Sequence, residues 1–173
     1  METNLVTLSG LIEFEPINKT KKHKYQASWK RIAMVIMEGD ITEYYAWFLK
    51  RRFNLEILKP LRGAHISFIN DSIRDINGGE GDVEHRDMLW NQLKAKWDGQ
   101  HISVILDLNP RSDGMTWWLN IPEEHRTQLH DIRGEIGLGR PYYGLHMTIG
   151  NCHPKYQEHS EYILHLLKNG FVK

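Results

Sequence analysis

The chain has a single cysteine, Cys152. No disulfide can close within it, and a reducing compartment is the default expectation. No apolar run approaches the roughly 20 residues that cross a bilayer. No basic segment followed by an apolar stretch lies near Met1. The expectation is a cytoplasmic protein with no membrane partner. There is no surplus of either charge, since Lys and Arg total 22 and Asp and Glu total 22. Proteins that coat long nucleic acid by bulk electrostatics need a basic excess. Long polynucleotides are therefore not expected as partners, whereas a small nucleotide or short oligonucleotide, gripped locally, is. The 10 histidines invite a metal. Yet His-x3-His and His-Glu-x-x-His are both missing, and one cysteine makes no thiolate pair. Neither a metal nor another cofactor is expected. Pro-rich linkers and low-complexity tracts are also lacking, so residues 1–173 are expected to form one domain, with 1–27 as an N-terminal arm.

What is present is a pair of matched stretches. Gly63-Ala64-His65-Ile66-Ser67-Phe68-Ile69 and Gly144-Leu145-His146-Met147-Thr148-Ile149-Gly150 each carry a histidine, an apolar residue, a small hydroxyl and further apolar residues. On a strand, positions i and i+2 face the same way. His65 then stands beside Ser67, and His146 beside Thr148, while Ile66, Phe68, Met147 and Ile149 are free to pack in a core.

Around these strands the patterning alternates helices with strands. Leu5 to Ile17 suggests a strand or arm, and Asn18 to Lys24 a basic loop. Trp29 to Met37 ends in an apolar run typical of a strand buried on both faces. Asp40 precedes a helix to about Phe53, with Ile41, Tyr44, Tyr45, Phe48 and Leu49 as its stripe and Lys50-Arg51-Arg52 in its last turn. Residues 70–82, rich in Asn, Asp and Gly, form a loop placed where a lid would sit. A second helix covers about Val83 to Trp97, with Leu89 or Trp90, Leu93 and Trp97 buried. Gln100 to Leu108 and Met115 to Ile121 form a hairpin. Pro122-Glu123-Glu124 opens a third helix bearing His125, Leu129, Ile132 and Ile136. A fourth runs from about Gln157 to Lys168, with Gly170 as its stop signal. Two similar units, each ending in a histidine strand, would bring those strands side by side.

Such a pair suits phosphodiester chemistry. One neutral imidazole takes a proton from the attacking oxygen and one imidazolium protonates the leaving oxygen. Ser67 and Thr148 would meet the charge on the non-bridging phosphate oxygens. Adjacent strands lie about 4.8 Å apart, close enough to clasp one phosphate. A third copy, His101-Ile102-Ser103, opens the second unit instead of closing a unit and is assigned a structural role. Cys152 and His153, adjacent on a strand end, point apart and do not form a nucleophile–base pair.

On His65-Ile66-Ser67 and His146-Met147-Thr148, with the order of elements from about Ser28 onward, the chain resembles the 2H phosphoesterase superfamily. The resemblance implies an α+β, bilobal, LigT-like fold: two pseudo-symmetric lobes of antiparallel sheet with outer helices around a central cleft. It implies that His65 and His146 are acid and base, that Ser67 and Thr148 bind phosphate, and that no metal takes part. Members include cyclic-phosphate phosphodiesterases, 2′-5′ phosphodiesterases and viral enzymes that destroy cyclic or 2′-5′ oligonucleotide signals. The N-terminal arm and the Gly-rich loop depart from the minimal family pattern.

The remainder of a nucleotide needs aromatic faces and cations. Tyr143, three residues before His146, is the first candidate, with Tyr142 beside it. Trp117 and Trp118 face opposite ways, so only one looks into the cleft, and Trp117 is the choice made here. Arg62 and Arg140 flank the motifs and could meet a second phosphate. His153, Lys24 and Tyr25 are weaker candidates for the cleft rim.

Overall fold

A computed structural model describes residues 4–16, 30–60, 62–72, 74–78 and 81–169. Its strands are β1 (Leu5–Phe14), β2 (Lys30–Met37), β3 (Ile57–Leu58), β4 (His65–Ser72), β5 (His101–Asp107), β6 (Arg111–Ser112), β7 (Thr116–Asn120) and β8 (His146–Cys152). Its α-helices are α1 (Ile41–Phe53), α2 (Val83–Trp97), α3 (Thr127–Gly134) and α4 (Gln157–Lys168). The strands form one sheet in the order β5-β1-β2-β4-β8-β7-β6, with β3 beside β8. Every pairing is antiparallel. The sheet curls enough for β5 to approach β7. The protein is thus mixed α+β, built on one curled antiparallel sheet. No described helix is long and apolar enough to cross a membrane.

The local sequence explains the elements. Period-2 alternation holds along β5 and β7: Ile102, Val104, Leu106, Trp117 and Leu119 are buried while their neighbours are less so. The central strand β2 buries Ala33, Met34, Val35 and Met37, as its continuous apolar run predicts. Asp82 caps α2 by accepting the His85 backbone N–H at 2.9 Å, and Asn54, left-handed at φ 51°, ends α1. The basic triplet occupies the last turn of α1, with Lys50 paired to Glu56.

Three expectations need correction. Residues 100–108 and 115–121 do not pair with each other. β5 is taken by β1, with Leu8 opposite Val104, and β7 by β8. The turn between them instead supports a two-residue strand, β6, beside β7. The third helix starts late: Glu123–His125 is a 3-10 turn, His125 is exposed, and the α-helix begins at Thr127. The Gly-rich segment is not free along its described part. Asp71 and Ser72 belong to β4, Ile76 is fully buried, and the Asn77 N–H donates to Ile136 O at 3.0 Å. The basic loop at 18–24, Tyr25 and the Gly170 stop signal lie outside the described residues.

The two histidine strands meet at one register pair, Ile66 opposite Met147, the middle residues of the two motifs. The local geometry on either side repeats. His65 faces Ile36 on β2 and His146 faces Asn120 on β7. The Met37 N–H donates to Ala64 O, and the Ile121 N–H donates to Leu145 O. Each histidine strand then carries one extra residue. Register slips at Ala33/Met34 opposite Phe68 and at Trp117/Trp118 opposite Ile149. Such a bulge bends a strand and flips its phase. The helices cross over, with α1 packing on β8 and α3 on β4. Where the copies differ, the reason is steric. Gly150 holds the place of Ile69, and a Cβ there would come within 2.5 Å of Leu58 O on β3. Gly150→Ala should therefore cost about 1–3 kcal/mol, as overpacking does, read as a lower denaturant midpoint. An unchanged midpoint would mean that β3 yields freely.

Candidate active site

His65, Ser67, His146 and Thr148 line one cavity of about 250 Å³, together with Asn70, Tyr142 and Tyr143. Two apolar anchors hold it: Ile66 and Met147 are both fully buried beneath the motifs. Burying such side chains contributes roughly 1.5–3 kcal/mol each, so the strands that aim the histidines are fixed from below.

The two imidazoles are held alike. His65 Nδ1 lies 2.9 Å from Gly63 O, and His146 Nδ1 lies 2.6 Å from Gly144 O. A carbonyl only accepts, so each ring is protonated at Nδ1 and its Nε2 is left for chemistry. Gly63 sits at φ 70°, a turn that a glycine adopts at no steric cost and that brings its carbonyl back onto the ring two residues later. Neither the Ser67 nor the Thr148 hydroxyl is bonded within the described residues. Both are half-buried donors facing the space between the rings.

Electrostatics act on His65. Burial pushes His65 below its ordinary value, and the nearby charges of Arg62 and His146 push it further, against the opposing pull of the Gly63 carbonyl. Burial and these charges thus favour the neutral form of His65. Replacing Arg62 by methionine should raise the His65 titration midpoint, followed by NMR of the imidazole. An unmoved midpoint would remove Arg62 from this role.

Tyr143 lies where the sequence suggests. Its hydroxyl is buried with no partner among the described residues, and burial, with Asp71 nearby, pushes its pKa up to about 12. Tyr143 lines the cavity with its ring, while its neutral hydroxyl is turned into the protein. Tyr142 stands edge-on to it at 5.0 Å and is 97% exposed, a free aromatic face at the rim.

Other expected residues are elsewhere. Trp117 is fully buried, and its Nε1 donates to Ser160 at 2.9 Å. It is a core residue, and Trp118 is the one facing the cleft. The Trp118 ring lies 5.8 Å from that of His146, and its Nε1 donates to Asn120 Oδ1 at 3.0 Å. Arg140 is exposed, pairs with Glu123 at 2.6 Å and does not line the cavity. Arg62 is half-buried, with Nη1 3.7 Å from Met34 Sδ. It acts on His65 through its charge and not as a cavity wall. His101 sits on the edge strand β5, exposed and 3.4 Å from Glu38. His153 accepts the Lys155 N–H, capping the 3-10 turn Pro154–Tyr156. Cys152 is buried and donates to Gly114 O.

Asn70 was not expected. Alternation from His65 through Ser67 would put Ile69 on the cleft. The bulge at Phe68 buries both Phe68 and Ile69, and Asn70 takes the cleft side instead. Asn151 stands at the same offset from His146. Asn151 is exposed and outside the lining of this cavity, so that recurrence does not by itself find Asn70.

Among the described residues, no three His, Cys, Asp or Glu side chains gather as a metal site. Comparison with family models, curated proteins and solved structures finds no match for this chain.

Proposed function

We propose that this chain is a metal-independent phosphodiesterase that hydrolyses a nucleotide phosphodiester by two-histidine acid–base catalysis, on the two-lobed fold of the 2H phosphoesterases. One observation carries the reading: two imidazoles and two hydroxyls, their Nε2 atoms and O–H groups without partners among the described residues, share one cavity across the β4–β8 junction. The repeated register on either side of that junction supports the two-lobed fold.

The chemistry follows from the donor set. Ser67 and Thr148 donate to the non-bridging oxygens, with Asn70 as a further donor at the wall. Neutral His65 takes a proton from the attacking water at Nε2 while the water oxygen bonds to phosphorus. The bond from phosphorus to the leaving oxygen breaks, and that oxygen takes the proton from His146 Nε2. The charge that builds on the phosphorane oxygens is met by donors already in place, so little reorganisation is needed. The products are a phosphomonoester and a free hydroxyl.

This division of labour fixes a pH dependence. His65 must be neutral to act as base, and its folded pKa lies below 6.5. The acid limb of kcat/KM should therefore fall below pH 6.5 in the wild type and move upward in the Arg62→Met variant. An acid limb at or above pH 6.5 would contradict His65 as the base. The same depression makes stability fall as pH is lowered, and rise as pH is raised, between the folded and unfolded pKa values. Below the unfolded value near 6.5, the unfolded chain binds the proton that the folded ring resists, until the folded pKa is passed.

A further inference from the structure

A second cavity, of about 670 Å³, opens beside the first and shares His146 with it. It continues along the same face of the sheet. His146 on β8 is opposite Asn120 on β7, Thr148 is opposite Trp118, and Trp118 is opposite Arg111 on β6. Asn120, Trp118 and Arg111 all line this cavity, together with Lys168 at the end of α4. The groove therefore runs over four neighbouring strands, β4, β8, β7 and β6.

Its chemistry is uneven in an informative way. Trp118 presents an indole beside the catalytic ring, locked by its bond to Asn120. Arg111 and Lys168 make no ion pair among the described residues. The one carboxylate in the lining, Asp113, has Oδ1 turned to the Met115 and Thr116 backbone N–H groups at 2.9 and 2.6 Å. Two free cations stand beyond an aromatic face, and all three lie on the His146 side.

The internal repeat provides a control within the same molecule. The positions matching Trp118 and Asn120 on the other side of the junction are Met34, opposite Ser67, and Ile36, opposite His65. Met34 is buried, and neither Met34 nor Ile36 borders a cavity at the catalytic pair. The repeat predicts equal sides, and only the His146 side has been opened into a cavity at these positions.

We infer that the second cavity is a subsite for the leaving nucleotide, with its base on Trp118 and its next phosphate between Arg111 and Lys168, which makes the substrate an oligonucleotide with a second phosphate on the leaving side. The inference rests on the phosphodiesterase reading, with His146 as the acid that protonates the leaving oxygen. Base–aromatic stacking is tolerant of sequence, so the subsite recognises a nucleotide without selecting one base. Charge-assisted contacts to the far phosphate supply the preference for length.

The test uses adenylyl dinucleotides, 2′-5′ and 3′-5′ linked, each with and without a terminal phosphate on the leaving nucleotide. The wild type should favour the phosphorylated form in kcat/KM by a factor on the order of 10 to 100, mainly through KM. The Arg111→Ala/Lys168→Ala variant, changed only at exposed side chains, should lose that preference, and Arg111→Lys with native Lys168 should keep part of it. Equal kcat/KM for the two forms, or a preference that survives the double variant, would overturn the subsite while leaving the catalytic pair untouched. If neither form is cleaved, these two linkages are not substrates, and the phosphodiesterase reading is judged on the cyclic linkages instead. The subsite is then decided by tryptophan fluorescence titration with the same dinucleotides. Tighter binding of the phosphorylated form, lost in the double variant, supports it, and equal affinities end it.

Discussion

Replacing His65 or His146 by alanine should each lower turnover of a cleaved phosphodiester by about 10²- to 10⁴-fold, the range general acid–base groups contribute. The fold should survive. Neither ring belongs to the core. Each is half-buried at the cavity wall, and among the described residues the one hydrogen bond each makes is to the carbonyl two residues before it. The anchors of these strands are Ile66 and Met147, and the substitutions leave them in place. The signature is a loss of kcat with circular dichroism and denaturant midpoint near wild type. His65 and His146 act on the same transition state, so the double variant should be little worse than the poorer single one. Full activity in either single variant would reject the assignment.

The largest expected effect on stability comes from a residue that touches no substrate. Arg133 is 1% exposed, yet all three of its guanidinium nitrogens find acceptors. Nη1 and Nη2 meet the two oxygens of Asp71 at 2.8 and 3.1 Å, Nη1 also donates to Phe68 O at 2.7 Å, and Nε donates to Gly139 O at 2.8 Å. Phe68 is the bulge residue after Ser67, and Gly139 leads toward the second motif. Arg133 therefore ties α3 to the bulge on one histidine strand and to the approach of the other. Arg133→Met would leave Asp71 unpaired and two carbonyls without a donor. Breaking a buried pair from one side costs about 3–5 kcal/mol, and the denaturant midpoint should fall accordingly. Adding Asp71→Asn should recover part of the loss, because the stranded charge is then gone. A loss under about 1 kcal/mol, or no recovery in the double variant, would show that the network carries little.

The contrast between these residues shows what the sequence could reveal. The histidine strands stand out because each repeats one short pattern, and period-2 geometry alone puts His65 with Ser67 and His146 with Thr148. The side-by-side placement follows from seeing two similar units. Phase is lost where a bulge intervenes: Phe68 and Ile69 are buried together, so Asn70 reaches the cleft against simple alternation. For Trp117 and Trp118 alternation says only that one faces inward. The choice depends on the register with β8 and on Ser160 from α4 meeting the buried indole. The expected hairpin fails for a non-local reason. The turn at 109–114 is a good one, but β1 and β8 claim the strands on either side. Arg133, in a helix, carries no local mark of its buried network, which is formed with carbonyls and a carboxylate from distant segments. Arg140 is drawn off by Glu123, a partner 17 residues away that no strand or helix period links to it.

The most direct measurement is turnover by the wild-type protein, in the presence of a chelator, of cyclic dinucleotides, 2′-5′ oligonucleotides and RNA ending in a 2′,3′-cyclic phosphate. The account predicts that at least one linkage is opened to a phosphomonoester at a rate the chelator does not change, and that this activity disappears when both histidines are replaced. Cleavage that the chelator abolishes, cleavage that persists without His65 and His146, or no cleavage of any of these bonds would contradict it.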